Sequence, residues 1–163
     1  MDDLQRLVET EAIKRLKARY FRALDTKDWA LLATLLTVNA RSVYGDGLYA
    51  FEGRDEIMTF LEGALGSEDI VHMHQAHTPE IEIASDTTAH GYWYFEDKVI
   101  FNTVEANTDH SPGRTMLIGT GIYHDEYEKV AGEWLISVTG YERIFEYTAP
   151  MHPEAILKTR WNR

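Results

Sequence analysis

With 163 residues, 44% of them hydrophobic, the chain is long enough to bury the core of one domain and short for two. Its 27 acidic against 16 basic residues give a formal charge of -11, which excludes a protein built to neutralise phosphates, so nucleic acid is not an expected partner. It has no cysteine, hence no disulfide, thiolate nucleophile or cysteine-ligated zinc, and no apolar run approaches the roughly eighteen residues of a membrane helix; a polar, charged N-terminus predicts a cytoplasmic protein.

From Leu4 to Leu24 apolar residues recur at three- and four-residue spacing through Leu7, Val8, Ile13, Leu16, Tyr20 and Ala23, predicting one amphipathic helix with Tyr20 on its buried stripe. The stretch DTKDWALLATLL adds capping candidates at Asp25, Thr26 and Asp28 and then a second short helix, which puts Asp25 near a helix junction. ARSVYGDGLYAFEG reads as strand, Gly-Asp-Gly turn, strand, and GRDEIMTFLEGALG as a third helix with acids in its first turn.

Beyond residue 68 the composition turns to Tyr, Trp, Ile, Val and Thr in extended runs. Strands are predicted at 69–77, 79–84, 87–101, 114–128 and 133–147, with breaks at SDT, NTDHSPG and VAGE. Helices first and sheet afterwards indicate an α+β fold with a strongly curved antiparallel sheet. Residues 148–163 hold two prolines and then a short end of helical character, expected to cover a pocket or an interface. No repeat or linker divides residues 1–163, so a single domain is expected.

Three histidines, His72, His74 and His77, stand within six positions in VHMHQAH. On a strand His72 and His74 project to one face and His77 to the other, so the first two have the disposition of metal ligands. Glu80, Glu82, His90 or His124 could complete such a set, but the many-stranded jelly-roll pattern that houses it is missing, and no metal is expected. Taken singly, each histidine is most simply a half-exposed strand residue.

In GYWYFED, Trp93, Phe95 and Asp97 share one strand face. If that face is the inner one, Asp97 is a carboxylate among aromatics that must be paired to stay ionised, and a histidine it orients becomes a competent general base. If the strand ends there, Asp97 faces water. Arg143, between Tyr141 and Phe145 in YERIF, either snorkels to the sheet edge or points into a pocket. Gly119 and Gly121 interrupt one face of their strand, as a bend or a close approach to the sheet requires.

The full order, from the helix with Tyr20 and Asp25 through DW, GRDEI, HQAHTPEIEI and GYWYFED to the hairpin YEKVAGEWLI, resembles the SnoaL-like branch of the nuclear-transport-factor-2-like superfamily across nearly the whole chain. The resemblance implies helices packed on a curved sheet that forms a cone with a deep apolar pocket, the cystatin-like arrangement. That superfamily includes scytalone dehydratase, bile acid dehydratase, ketosteroid isomerase and polyketide cyclases, besides binding and assembly proteins that catalyse nothing, so fold alone leaves function open. The bile acid dehydratase pattern matches best, and it places catalytic roles on Tyr20, Asp25, His74, Asp97 and Arg143. The chain departs from scytalone dehydratase in having Trp93 where that enzyme carries a second histidine.

By this resemblance His74, oriented by Asp97, removes a substrate proton; Tyr20 meets the oxyanion, Asp25 holds Tyr20 or acts as a second acid/base, and Arg143 contacts substrate oxygen. Phe21, Tyr44, Trp93 and Phe95 would hold an apolar cyclic or aromatic small molecule. The expected activity is that of a cofactor-free lyase, a dehydratase first, with isomerisation or retro-aldol cleavage as alternatives and a non-catalytic pocket protein as the contrasting class. An apolar outer sheet face implies a homo-oligomer, dimer or trimer.

Overall fold

The computed structural model describes residues 1–102 and 113–161. In chain order the elements are α1 (Asp3–Thr26), α2 (Trp29–Thr34), β1 (Leu36–Tyr44), β2 (Tyr49–Glu52), α3 (Arg54–Leu65), β3 (Ile70–Ile83), β4 (Thr88–Phe101), β5 (Thr115–Val130) and β6 (Glu133–Pro150). The α+β plan is the expected one. The sheet is open, with order β2-β1-β6-β5-β4-β3, and departs from the expected antiparallel arrangement in being mixed. Strands β3 to β6 follow one another antiparallel, which brings β6 back beside β1 in the same direction and makes that pair parallel.

Aspartate 2 caps α1 by accepting from the Gln5 N–H, and the helix buries Ile13, Leu16, Tyr20, Phe21, Ala23 and Leu24. The apolar stripe read from the sequence is longer than the face that packs, for Leu4, Leu7 and Val8 stand exposed. At the other end Lys27 closes the helix in the left-handed conformation with φ 57° and donates its N–H to Ala23 and Leu24 carbonyls. Such a conformation costs a residue with a Cβ about 1–3 kcal/mol and persists where surrounding contacts over-determine it.

Helix α2 is shorter than its apolar run, because Leu36 pairs with Ile136 and begins β1. The two strands expected at 69–77 and 79–84 are one, β3, with an irregularity between Ala76 and Pro79 that absorbs the proline. The break expected at NTDHSPG lies, except for its last glycine, outside the described residues. VAGE forms the β5–β6 hairpin turn with Ala131 and Gly132 both at positive φ. In the tail, residues 151–161 hold no helix; they pack by Arg114 donating to the Ala155 carbonyl and by the Trp161 ring lying 5.0 Å from the Lys27 ammonium. Among the described residues no helix is long and apolar enough to cross a membrane.

The core lies between α1, α2, α3 and the inner sheet face, where Trp93, Phe95, Tyr123, Tyr127 and Ile136 meet Tyr20, Phe21 and Leu32. This is the Trp93 face, so Asp97 is an inner carboxylate, 4% exposed.

Candidate active site

The C-terminal turn of α1 lies against β3, and Asp25 leaves that turn to meet two histidines. Its Oδ2 accepts from the His74 backbone N–H at 2.8 Å, while its Oδ1 stands 2.7 Å from His74 Nδ1 and 3.0 Å from His72 Nδ1. A carboxylate beside an imidazole nitrogen takes that nitrogen's proton as a hydrogen bond, so His74 donates from Nδ1 to Asp25 and turns Nε2 the other way. Burial pushes the Asp25 carboxyl up, but the hydrogen bonds from His72 and His74 outweigh it and leave the group below its usual value.

His74 Nε2 lies 4.0 Å from Asp97 Oδ2, beyond hydrogen-bond distance, and among the described residues nothing hydrogen-bonds to it. Asp97 and His74 are direct partners across β3 and β4, as expected for a pair, yet both Asp97 oxygens are taken by Arg143, Nη1 to Oδ1 at 2.7 Å and Nη2 to Oδ2 at 2.8 Å. The carboxylate that orients His74 is therefore Asp25, where the sequence reading has Asp97. Burial opposes the Arg143 charge, but Asp97 more than restores it and the guanidinium ends above its ordinary pKa.

Gly119 explains how Arg143 reaches two strands away. It sits on β5 opposite Asp97, and a Cβ there would overlap the Arg143 guanidinium and come within 2.5 Å of Asp97 Oδ1. The close approach implied by a glycine on this face is that of Arg143 itself. Phe95 and Tyr141 rings flank the guanidinium, 5.3 and 4.8 Å from its carbon.

A cavity of about 320 Å³ opens on His74, lined by Phe21, Arg22, Asp25, Ala76 and Trp93 among others. Phe21 stacks on the His74 ring at 5.5 Å. Of the four expected substrate contacts, Phe21 and Trp93 are walls of this cavity, whereas Tyr44 and Phe95 are core residues packed on Tyr141. Tyr20 is fully buried with its hydroxyl 3.3 Å from that of Tyr44, not on Asp25. Burial raises both phenols, Tyr20 well above its ordinary value and Tyr44 to about 12.

His72 and Lys27 belong to this site; the sequence reading weighed His72 only as a metal ligand or strand filler and passed over Lys27. His72, taken as half-exposed strand filler, is buried; its Nε2 stands 3.5 Å from Lys27 Nζ, and Lys27 also donates to the carbonyls of Leu65 and Ile70. Parity had already put His72 on the face of His74; what it could not supply is the Lys27 ammonium and the Asp25 carboxylate that close around the ring. Asp25, His72 and His74 bring three ligand-type atoms within 4.8 Å of one another. In this structure Asp25 Oδ1 meets Nδ1 of both rings, and the Lys27 ammonium lies alongside. Of the further ligands considered, His90 pairs with Glu82 on the surface at 3.3 Å and His124 meets the Tyr92 ring.

A family model described as a SnoaL-like domain matches residues 5–140. Among solved structures, a putative scytalone dehydratase from Novosphingobium aromaticivorans is 25% identical, with TM-score 0.73 and 92% of each chain covered. A hexachlorocyclohexane dehydrochlorinase of type 2 superimposes with TM-score 0.76 over 95% of this chain and all of that one, at 19% identity. A protein of unknown function with a cystatin-like fold, from Nostoc punctiforme, gives TM-score 0.62 at 16% identity over 88% of this chain and 93% of its own. The last two likenesses are of fold.

Proposed function

In a chain that belongs to the SnoaL-like domain family, we propose a lyase that works by general acid–base chemistry without a cofactor, a dehydratase of an apolar cyclic or aromatic small molecule. The observation that carries the reading is the His74 ring, held at Nδ1 by Asp25 and bare at Nε2 where it faces the Asp97–Arg143 pair. A base so oriented is what proton abstraction next to a carbonyl requires. Two of the similar structures bear the names of eliminations, of water and of hydrogen chloride.

In the proposed reaction His74 Nε2 takes the proton α to a carbonyl, and the electron pair of that C–H bond becomes the new C=C bond as the β-hydroxyl departs. The imidazolium returns its proton to the leaving oxygen, so the products are an alkene and water. Arg143 meets oxygen that carries developing charge, while Tyr20, fully buried with its hydroxyl on Tyr44, does not line the cavity that opens on His74. Proton return to another carbon gives isomerisation instead, which the product's mass distinguishes. Self-association as a dimer or trimer is part of the proposal, supported by exposed Tyr92, Tyr94 and Tyr147 on the outer sheet face and measurable by light scattering.

The test is His74→Ala against a panel of β-hydroxy ketones, steroid-like and lignin-like aromatics, and nitrobenzisoxazole, which opens on loss of one C–H proton and so reports a general base directly. A loss of about 10²- to 10⁴-fold in kcat is expected. Unchanged turnover removes His74 as the base.

A further inference from the structure

His72 takes no part in the proton path above, yet both of its ring nitrogens are engaged in a buried setting. Lys27 reaches it from the left-handed end of α1, and the Leu65 and Ile70 carbonyls hold the ammonium in place. An ammonium can only donate, so at 3.5 Å His72 Nε2 must be the acceptor. The single proton of the neutral ring then sits on Nδ1 and is given to Asp25 Oδ1. A charged ring would set an N–H against the ammonium, and burial, with His74 and Lys27 nearby, lowers the His72 pKa accordingly.

We propose that Lys27 and His72 are positioning residues that fix the proton arrangement of the Asp25–His74 pair. The chain is directed: Lys27 donates to His72, His72 to Asp25, and His74 to the same carboxylate through both Nδ1–H and its backbone N–H. The inference rests on His74 being the base. Its consequence concerns the moment after proton abstraction, when His74 is an imidazolium beside a carboxylate. An Asp25 oxygen already occupied by a neutral donor is a weaker proton acceptor, so the proton stays on His74 for the leaving group. Without His72 the carboxylate becomes more basic and the pair less sharply polarised.

Long-range proton–nitrogen NMR of the full chain with isotope-labelled histidine reads which nitrogen of each ring is protonated. Near neutral pH both His72 and His74 are expected in the Nδ1–H form, and in Lys27→Met the His72 ring shifts toward Nε2–H. With nitrobenzisoxazole as probe, His72→Leu is expected to lower kcat about 10- to 100-fold with KM little changed, the range seen when partners that orient a reactive ligand are lost. His72→Gln, whose amide can accept from Lys27 and donate to Asp25, is expected to recover most of that loss. An Nε2–H or charged His72 in the unmodified protein overturns the proposal, as does a folded His72→Leu with full kcat. If His74→Ala turns out to be harmless, the base reading falls separately and the spectra alone decide whether Lys27 and His72 order Asp25.

Discussion

Two carboxylates, Asp125 fully enclosed and Asp25 half-buried, each collect donors, and they differ in what those donors have left to give. Asp125 accepts from the Tyr127 hydroxyl at 2.9 Å and Thr139 Oγ1 at 2.8 Å, and pairs with the Lys17 ammonium at 2.7 Å; both ion-pair side chains are wholly enclosed. Tyr127 in turn accepts from Trp93 Nε1, and Lys17 lies 3.6 Å from the Tyr123 ring centre. The two hydroxyls are spent within the cluster, and the Lys17 ammonium is held there by its charge, as an ion pair without a hydrogen bond. Asp25 has three donated hydrogen bonds, but of the two imidazoles among the donors one, His74, has a second nitrogen with no hydrogen bond among the described residues. A closed network holds the fold, and one ending in a two-sided ring presents a reactive atom.

The sharpest test of that contrast swaps one carboxylate at a time. Asp125→Ala leaves Lys17 charged or forced neutral in an apolar enclosure and orphans two hydroxyls, so urea unfolding should show a loss of about 3–5 kcal/mol. Asp25→Asn should reverse the balance. An amide can donate to His74 Nδ1, which moves the ring proton to Nε2 and abolishes the base, costing about 10²- to 10⁴-fold in nitrobenzisoxazole turnover with a smaller stability change. Equal stability losses in the two variants would erase the distinction.

Much of this was legible in the sequence, and the misses have physical causes. Helix periodicity placed Tyr20 inside and strand parity put Asp97 on the face of Trp93, because both depend on local geometry alone, whereas the meeting of Asp97 with His74 across two strands was read only from the family resemblance. Which carboxylate holds His74 depends on how α1 docks on β3 and on Arg143 reaching over Gly119, contacts between residues far apart in sequence. The Lys17–Asp125 pair left a readable trace: Lys17 lies on the apolar stripe between Ile13 and Tyr20, and Asp125 alternates with Tyr123 and Tyr127. A charge on a buried face predicts an opposite one facing it.

Gly119→Ala probes the third carboxylate, Asp97. A methyl group in the space of the Arg143 guanidinium must displace it, and overpacking of this kind costs about 1–3 kcal/mol. Chemical unfolding should show that loss together with reduced turnover, because Arg143 and Asp97 can no longer hold their bidentate geometry. A stable, fully active Gly119→Ala would mean the pair is dispensable.

A smaller effect is expected from pH. The His72 pKa is lowered from 6.5 in the folded chain, so on acidification the unfolded chain takes up that proton first. The stability this ring confers is complete above 6.5 and declines as pH falls toward the folded value. Asp25, lowered from 3.8, contributes stability that is complete above 3.8 and is lost as pH falls through its folded value. Urea midpoints measured from pH 7 downward should therefore fall in two stages, and His72→Gln should flatten the first while keeping the second. A first stage as steep in His72→Gln as in the unmodified protein would assign it to another group.

The least effect is expected at His77, which tests whether position on β3 or mere histidine content makes the site. His72 and His74 face inward on one side of the strand, and the irregularity between Ala76 and Pro79 follows them, leaving His77 exposed. An exposed side chain away from caps, cavities and buried networks changes stability by less than about 0.5 kcal/mol when replaced. His77→Ala should accordingly keep the urea midpoint and the nitrobenzisoxazole turnover of the unmodified protein. A substantial loss of turnover would show that the reactive region extends past Ala76, and would end the separation between an enclosed Asp25 cluster and a solvated strand end.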